Sequence, residues 1–135
     1  MSFVESCLAL VILAIAASLA VPSLLKARND DLLLAAAHDV ATEMHAARIR
    51  AINRNSDCRL RAAAPDSYLM ECQTGTAWYT VDLQRLPRGL TLTANNRPEF
   101  HRFGNVAPTA TFTVSDNMAR RIQIVVNTGG RIRIQ

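Results

Sequence analysis

The first 25 residues form an almost uninterrupted apolar segment. Its only charged side chain before Lys26 is that of Glu5. From Ser6 to Leu25 the chain is mostly Leu, Ile, Val and Ala, and a helix of this length spans ~30 Å, the thickness of a bilayer's hydrocarbon core. A secretory signal peptide is disfavoured because an acid precedes the run and no small-residue cleavage site follows it. The pattern predicts a helix able to cross a membrane.

A second helical pattern follows, and it is amphipathic. From Leu32 to Ile52 there is no Gly or Pro, and apolar residues recur at spacings of seven with offsets of four, which is typical of one buried helix stripe. The stripe consists of Leu33, Ala37, Val40, Met44, Ala47 and Ala51, and the opposite face carries Asp39, Glu43, Arg50 and Arg54. The sequence therefore predicts one long helix whose second half packs on a globular head.

After Asp57 the period changes from 3.6 to 2, which indicates strands. Short runs of β-branched and aromatic residues alternate with Pro, Gly, Asn and Asp, and the last 80 or so residues are long enough to form a small core against the helix. The predicted strands are Cys58–Ala62, Tyr68–Cys72, Trp78–Leu83, Leu90–Thr93, Thr111–Val114, Ile122–Val125 and Arg131–Ile134.

These patterns predict an α+β fold in which a long N-terminal helix, kinked near Pro22, packs on a small antiparallel β domain. Three segments are expected: a transmembrane or filament-core helix over residues 1–25, its amphipathic continuation over 26–55, and the β head over 56–135. The kink is expected because Pro22 lacks a backbone donor and its ring clashes with the carbonyl of Ser18.

Glu5 lies at the edge of the apolar segment, where an ionised carboxylate needs a partner. Such a charge costs ~2.5 to 3.5 kcal/mol at the centre of a membrane helix and less near the interface. The only cation within reach in its own chain is the amino group of Met1, so the expected partner is the amino terminus of a neighbouring copy. Solvation of Glu5 by lipid headgroups is the alternative.

The combination of Met1, Glu5 and Pro22 resembles the mature N-terminus of type IV pilins and type II secretion pseudopilins. The resemblance implies a filament subunit that a prepilin peptidase has trimmed of a basic leader and methylated. A lost basic leader would also outweigh Lys26 and Arg28 in setting membrane orientation. The implied partners are further copies, other pilins and an assembly platform, with residence in the bacterial inner membrane before assembly and in a periplasmic or extracellular filament afterwards.

Two of the three cysteines face each other in a predicted hairpin centred on Pro65. Cys58 would stand opposite Cys72 with Cβ atoms ~4.5 to 5.5 Å apart, near the separation that a disulfide needs. A location outside the cytoplasm would permit the bond. Two buried thiols are the alternative, and Cys7 is expected to act as a small apolar residue within the helix.

The net charge of the chain is concentrated at its C-terminal end. Residues 1–116 contain eleven basic and eleven acidic side chains, whereas residues 117–135 contain no acid and four arginines, Arg120, Arg121, Arg131 and Arg133. Pairing Val125 with Arg131 would bury the isoleucines of this hairpin and expose its arginines. Guanidinium groups suit phosphate oxygens, so DNA binding here would be sequence-independent and salt-sensitive.

The same segment carries a second resemblance. Residues 122–134 resemble the closing hairpin of the GspH/FimT branch of the pilins, and Gly130-Arg131-Ile132-Arg133 is similar to a Gly-Arg-x-Arg motif implicated in DNA uptake by FimT-type minor pilins. The resemblance implies DNA as a partner of a competence pilus. Three alternatives remain: an arginine-rich composition that reflects a GC-rich genome and not phosphate contact, arginines that protect a sheet edge from aggregation, and a GspH-like pseudopilin that has no need of DNA.

No pattern of an enzyme is present. The sequence has no nucleophile elbow, phosphate loop or paired-acid motif, and neither the C-x13-C spacing nor the positions of His38 and His45 fit a zinc site. We therefore expect no catalytic residue, metal or cofactor. The leading prediction is a structural subunit of a type IV pilus-like filament, with the DNA-binding minor pilin and the type II secretion pseudopilin as alternatives. Whether the subunit is major or minor stays open.

Overall fold

The computed structural model describes residues 2–135 and contains one helix and eight strands within them. Helix α1 spans Phe3–Arg54. Met1, whose amino group is the expected assembly partner of Glu5 in a neighbouring copy, lies outside the described residues. The chain divides into two compact units, one that ends at Leu32 and a second over Leu33–Gln135.

In the first unit, the helix continues through Pro22. The serines on either side of the proline bond back to the helix: Ser18 Oγ donates to the Ile15 carbonyl at 2.7 Å, and Ser23 Oγ donates to the Ala20 carbonyl at 3.2 Å. The chain does not unwind at Pro22, because the residues before and after it are helical. A bend at this position stays a prediction.

In the second unit, the apolar stripe of the helix is buried as predicted. All six predicted residues are at most 4% exposed, and Ala36 and Ala41 widen the stripe. The helix ends at Arg54, and the next residue, Asn55, has a positive φ of 50°. The Ser56 amide bonds to the Ala51 carbonyl at 3.1 Å and the Asn55 amide to the Ile52 carbonyl at 3.3 Å, a pattern that satisfies carbonyls left open at a helix end.

The strands form two antiparallel four-stranded sheets, with orders β3-β2-β1-β5 and β4-β6-β7-β8. The seven predicted strands are all present. Six of them are one to three residues longer than predicted and the last is one residue shorter, whereas the two-residue β5 was not predicted. The strands are β1 Cys58–Ala63, β2 Ser67–Thr74, β3 Ala77–Arg85, β4 Leu90–Ala94, β5 Glu99–Phe100, β6 Ala110–Asp116, β7 Arg121–Val126 and β8 Ile132–Ile134.

The core belongs entirely to the second unit. Every buried apolar residue found among residues 2–135 lies between Leu33 and Val126. The largest fully buried side chains are Phe100, Phe112, Met44, Leu60 and Ile124. A fragment of residues 28–135, here called the head fragment, therefore keeps the whole core and should fold on its own.

Candidate functional site

The N-terminal segment exposes its apolar side chains. Twelve large apolar residues between Phe3 and Leu25 are each 53–84% exposed. The helix is long and apolar enough to cross a membrane. Leaving a Leu, Ile or Val side chain in water forgoes about 1.5 to 3 kcal/mol relative to burial. This surface consequently favours an apolar surrounding.

Glu5 caps its own helix in the single chain. The Ser2 amide donates to Glu5 Oε2 at 3.4 Å, and the Glu5 amide donates to the Ser2 carbonyl at 3.0 Å. Ser and Glu three residues apart at a helix start have the spacing of a capping box, and the negative charge also suits the positive end of the helix dipole. This capping role was not predicted, although the Ser2-x-x-Glu5 spacing indicates it.

The C-terminal hairpin has a register that differs from the prediction by two residues. Val125 pairs with Arg133, not with Arg131, and Val126 pairs with Ile132. The reason is a longer turn, in which the Asn127 side chain accepts the Arg131 amide at 2.9 Å. Because side chains alternate with a period of two, the predicted faces survive this shift. Ile124 is buried, and Arg131 and Arg133 are exposed.

The four C-terminal arginines do not form a single cluster. Arg120 lies in the β6–β7 turn and is already engaged by Asp116, with Nε 2.8 Å from Oδ2. Arg121 is exposed at the start of β7. It lies about 13 Å along the strand from Val125, and Val125 is the residue that pairs with Arg133. Arg131 and Arg133 belong to one hairpin, and within residues 2–135 their guanidinium groups have no acceptor.

Gly130, the glycine of the Gly-Arg-x-Arg motif, has a packing role. It is buried, has φ of +75°, and a Cβ placed on it would stand 2.3 Å from the Gly104 carbonyl oxygen and 2.7 Å from Arg48 Nε. Arg48 extends from the helix and donates from Nε to the Gly104 carbonyl at 2.9 Å and from Nη2 to the Gly129 carbonyl at 3.5 Å. Arg48 thus holds two turns together, a role that the sequence analysis missed because the three residues are far apart in the chain.

Cys58 and Cys72 lie directly opposite each other in the β1–β2 ladder. They form a disulfide with an S–S distance of 2.02 Å, and both side chains are fully buried. This arrangement favours the bridge over the alternative of two thiols. Cys7 is unpaired and exposed on the N-terminal helix.

An acidic cluster lies where the helix passes β3. Burial raises the pKa of the Glu43 carboxyl, the nearby Asp82 and Asp39 carboxylates raise this pKa further, and Arg50 opposes them. Burial also raises the pKa of the Tyr68 phenol above its usual range, with further contributions from Glu43, Asp39 and Asp82. Ionised Glu43 is thus disfavoured in the folded state. Within residues 2–135 no group of His, Cys, Asp and Glu side chains could hold a metal ion.

Comparisons with known proteins place the head in a defined structural class. The profile of the family described as type II transport protein GspH matches residues 36–130. The minor pseudopilin EpsH from the type 2 secretion system of Vibrio cholerae superposes with a TM-score of 0.67 at 13% identity, over 76% of this chain and 95% of EpsH. The Pseudomonas aeruginosa type IV minor pilin FimU gives 0.65 at 17% identity, over 82% and 92%. No curated protein sequence matches significantly.

A long N-terminal helix with an exposed apolar half, joined to a small antiparallel head, defines a pilin-like or pseudopilin-like protein. The similarity to EpsH and FimU shows that fold. The chain belongs to the GspH family of type II transport proteins, because the family profile covers most of its head.

Proposed function

We propose that this chain is a structural, non-enzymatic subunit of a type IV pilus-like helical filament. Its N-terminal helix is held in the bacterial inner membrane before assembly and is then packed among the helices of other subunits. Prepilin peptidase prepares the amino terminus, and a membrane platform adds each subunit. The assembled filament lies in the periplasm or outside the cell.

The exposed apolar face of residues 3–25 carries this proposal. Twelve large side chains that are each more than half exposed cannot remain in water, since each gains about 1.5 to 3 kcal/mol on burial. A bilayer provides that burial for the single subunit. Neighbouring helices in a filament core provide it afterwards, so a subunit can leave the membrane without exposing this face to water.

Pairing of Glu5 with the amino terminus of a neighbouring subunit sets the axial register between subunits. In the single chain its carboxylate accepts a long hydrogen bond of 3.4 Å from the Ser2 amide, which it can exchange for the charged amino terminus of a neighbour. An ion pair in apolar surroundings is stronger than one in water, and an unpaired charge there is costly. A subunit that is added with the wrong axial offset would leave Glu5 without its partner.

Glu5→Gln is the sharpest test of this role. Glutamine at the third helical position can still cap the helix, so this variant removes the charge and keeps the cap. We expect normal membrane insertion and a folded head, but a filament yield at least tenfold below wild type. Asp31→Asn removes another exposed acid of the same helix and should assemble normally. Wild-type yield from Glu5→Gln would reject the proposed role of Glu5.

A type II secretion pseudopilus is the alternative assembly. The GspH family match and the similarity to EpsH favour it, whereas the similarity to FimU favours a type IV pilus. Both solved structures are of minor subunits, which supports a minor position for this chain. Deleting the gene should reduce secretion of folded proteins if the assembly is a pseudopilus, and should reduce surface pili if it is a pilus.

DNA contact by the C-terminal hairpin is a second candidate function. It is favoured by the absence of acids after Asp116 and by the exposure of Arg131 and Arg133, which have no acceptor among residues 2–135. Arg120 contributes less than the charge count suggests, because Asp116 already pairs with it.

Salt-dependent binding of the head fragment to a DNA duplex tests this candidate. Changing both Arg131 and Arg133 to Gln should weaken binding and lower the slope of log K against log[salt] by about 2. Changing the exposed Arg88 and Arg97 to Gln removes the same charge elsewhere and should have a smaller effect. Equal loss in the two double variants would show that only net charge matters.

A further inference from the structure

The turn at residues 101–105 is built against the turn that carries Arg131. The Val106 amide donates to the Thr128 carbonyl at 2.9 Å, and Gly104 contacts Gly130. Phe103 and Arg131 each adjoin one of these two glycines, so their Cα atoms lie within about 14 Å of each other. Arg48 bonds to both turns and fixes this arrangement.

Phe103 stands in solvent at the tip of its turn. Its side chain is 81% exposed, and the Arg102 guanidinium lies 4.9 Å from the centre of its ring. The turn itself is rigid, because the Gly104 amide bonds to the His101 carbonyl at 2.8 Å and the His101 amide to the Asn105 carbonyl at 2.9 Å. An aromatic ring is therefore presented to solvent on a fixed support, with a cation beside it.

A polar groove of about 470 Å³ adjoins this ring. Its walls include Asn55, Gln73 and Asn105, whose side-chain amides have no hydrogen-bond partner within residues 2–135. Each amide offers a donor and an acceptor, which matches the edge of a nucleobase. Asp57 also lines the groove, where it pairs with His101 at 3.1 Å, so the groove disfavours a phosphate and suits a neutral group.

We propose that Phe103 and this groove form a subsite for one unpaired base of single-stranded DNA, whose backbone continues along Arg102, Arg131 and Arg133. The base stacks on the Phe103 ring and its polar edge meets the groove amides, while the guanidinium groups hold the flanking phosphates. Exposed aromatic rings beside cationic groups are how proteins bind single strands without sequence preference. The inference rests on the DNA contact proposed above and adds a preference for single strands.

Fluorescence anisotropy of the head fragment with a labelled oligothymidine and with a labelled hairpin duplex, at one fixed salt concentration, tests the subsite. Phe103→Ala should weaken single-strand binding about 5- to 150-fold, the range of one base stacked on an aromatic ring. Duplex binding should change less than twofold. Phe103→Tyr keeps the ring and should bind like wild type. Met118→Ala removes another exposed apolar side chain, 71% exposed, and should have no effect.

The remaining outcomes separate this inference from the proposal on which it rests. If Phe103→Ala binds both DNA forms like wild type while the Arg131 and Arg133 variant loses binding, DNA contact stands and the base subsite is wrong. An equal loss for single strands and duplex also rejects the subsite. No binding by wild type rejects both. If Phe103→Ala keeps DNA binding but impairs filament assembly, the ring is a subunit contact and the inference fails.

Discussion

Gly130 lies against the carbonyl oxygen of Gly104, so closely that a Cβ on Gly130 would stand 2.3 Å from that oxygen. Arg48 closes the contact by donating to the same carbonyl at 2.9 Å. The glycine of the Gly-Arg-x-Arg motif is therefore required by packing between two turns and the helix. Its presence alone does not argue for DNA, whereas the exposed arginines that follow it do.

Gly130→Ala should destabilise the head fragment strongly. The left-handed backbone costs an alanine about 1 to 2 kcal/mol, and the clash adds about 1 to 3 kcal/mol. Gly75→Ala is the matched control, because Gly75 has a similar φ of +64° and nothing within 4 Å of the added Cβ. Urea unfolding should show the larger loss for Gly130→Ala, and equal losses would contradict the tight contact.

Arg48→Met should loosen both turns that Arg48 joins. It leaves the buried Gly104 carbonyl without this donor, which should cost about 1 to 3 kcal/mol of unfolding free energy. Hydrogen exchange should become faster at the amides of residues 104–106 and 128–131, because these amides belong to the two turns that Arg48 joins. Arg88→Met removes an exposed arginine and should change stability by less than about 0.5 kcal/mol. Unchanged hydrogen exchange in Arg48→Met would show that the Arg48 hydrogen bonds are not needed to hold the two turns together.

The Cys58–Cys72 bridge should contribute substantially to head stability. It joins residues 14 positions apart, and a loop of about that length is worth about 3 kcal/mol. Changing both cysteines to Ala should lower the urea midpoint of the head fragment by the equivalent of that energy. Reducing agent should lower the midpoint of wild type and leave the variant unaffected. A wild-type midpoint that is insensitive to reduction would contradict the assignment.

Glu43→Gln should stabilise the head at neutral pH. The folded state raises the pKa of Glu43, so it binds a proton at this carboxyl more readily than the unfolded state does. The resulting contribution to folding stability is fully present below the unfolded pKa of about 4.5 and is lost as the pH rises through the folded pKa. Glutamine resembles the protonated form at every pH. The stability difference between variant and wild type should be positive at pH 7 and should shrink towards zero near pH 4. A difference that does not vary with pH would exclude this titration.

Much of the fold follows from local periodicity. The stripe from Leu33 to Ala51 repeats every seven residues, and the β1–β2 hairpin has equal arms around Pro65, so helix burial and the Cys58–Cys72 register could both be predicted. β5 was missed because two residues, Glu99 and Phe100, carry no periodicity. The predicted β7–β8 register was wrong because the turn depends on a hydrogen bond that the Arg131 amide donates to the Asn127 side chain.

The site was less predictable than the fold. The arginine-rich end is visible in the composition, but the pairing of Arg120 with Asp116 and the clamp by Arg48 depend on tertiary structure. Arg48 is 56 residues from Gly104 in the chain, and no local pattern connects them. The same holds for Phe103, because the groove beside it combines the end of the helix, residues near the end of β2 and the turn at residues 101–105.

Helical reconstruction of the assembled filament by cryo-electron microscopy tests the central proposal most directly. Packed N-terminal helices should fill the filament axis, and the Glu5 carboxylate should lie within about 4 Å of the amino-terminal nitrogen of an adjacent subunit. The account would be contradicted by filaments that are held by head contacts alone, or by a Glu5 that faces water with no neighbouring amino terminus in reach.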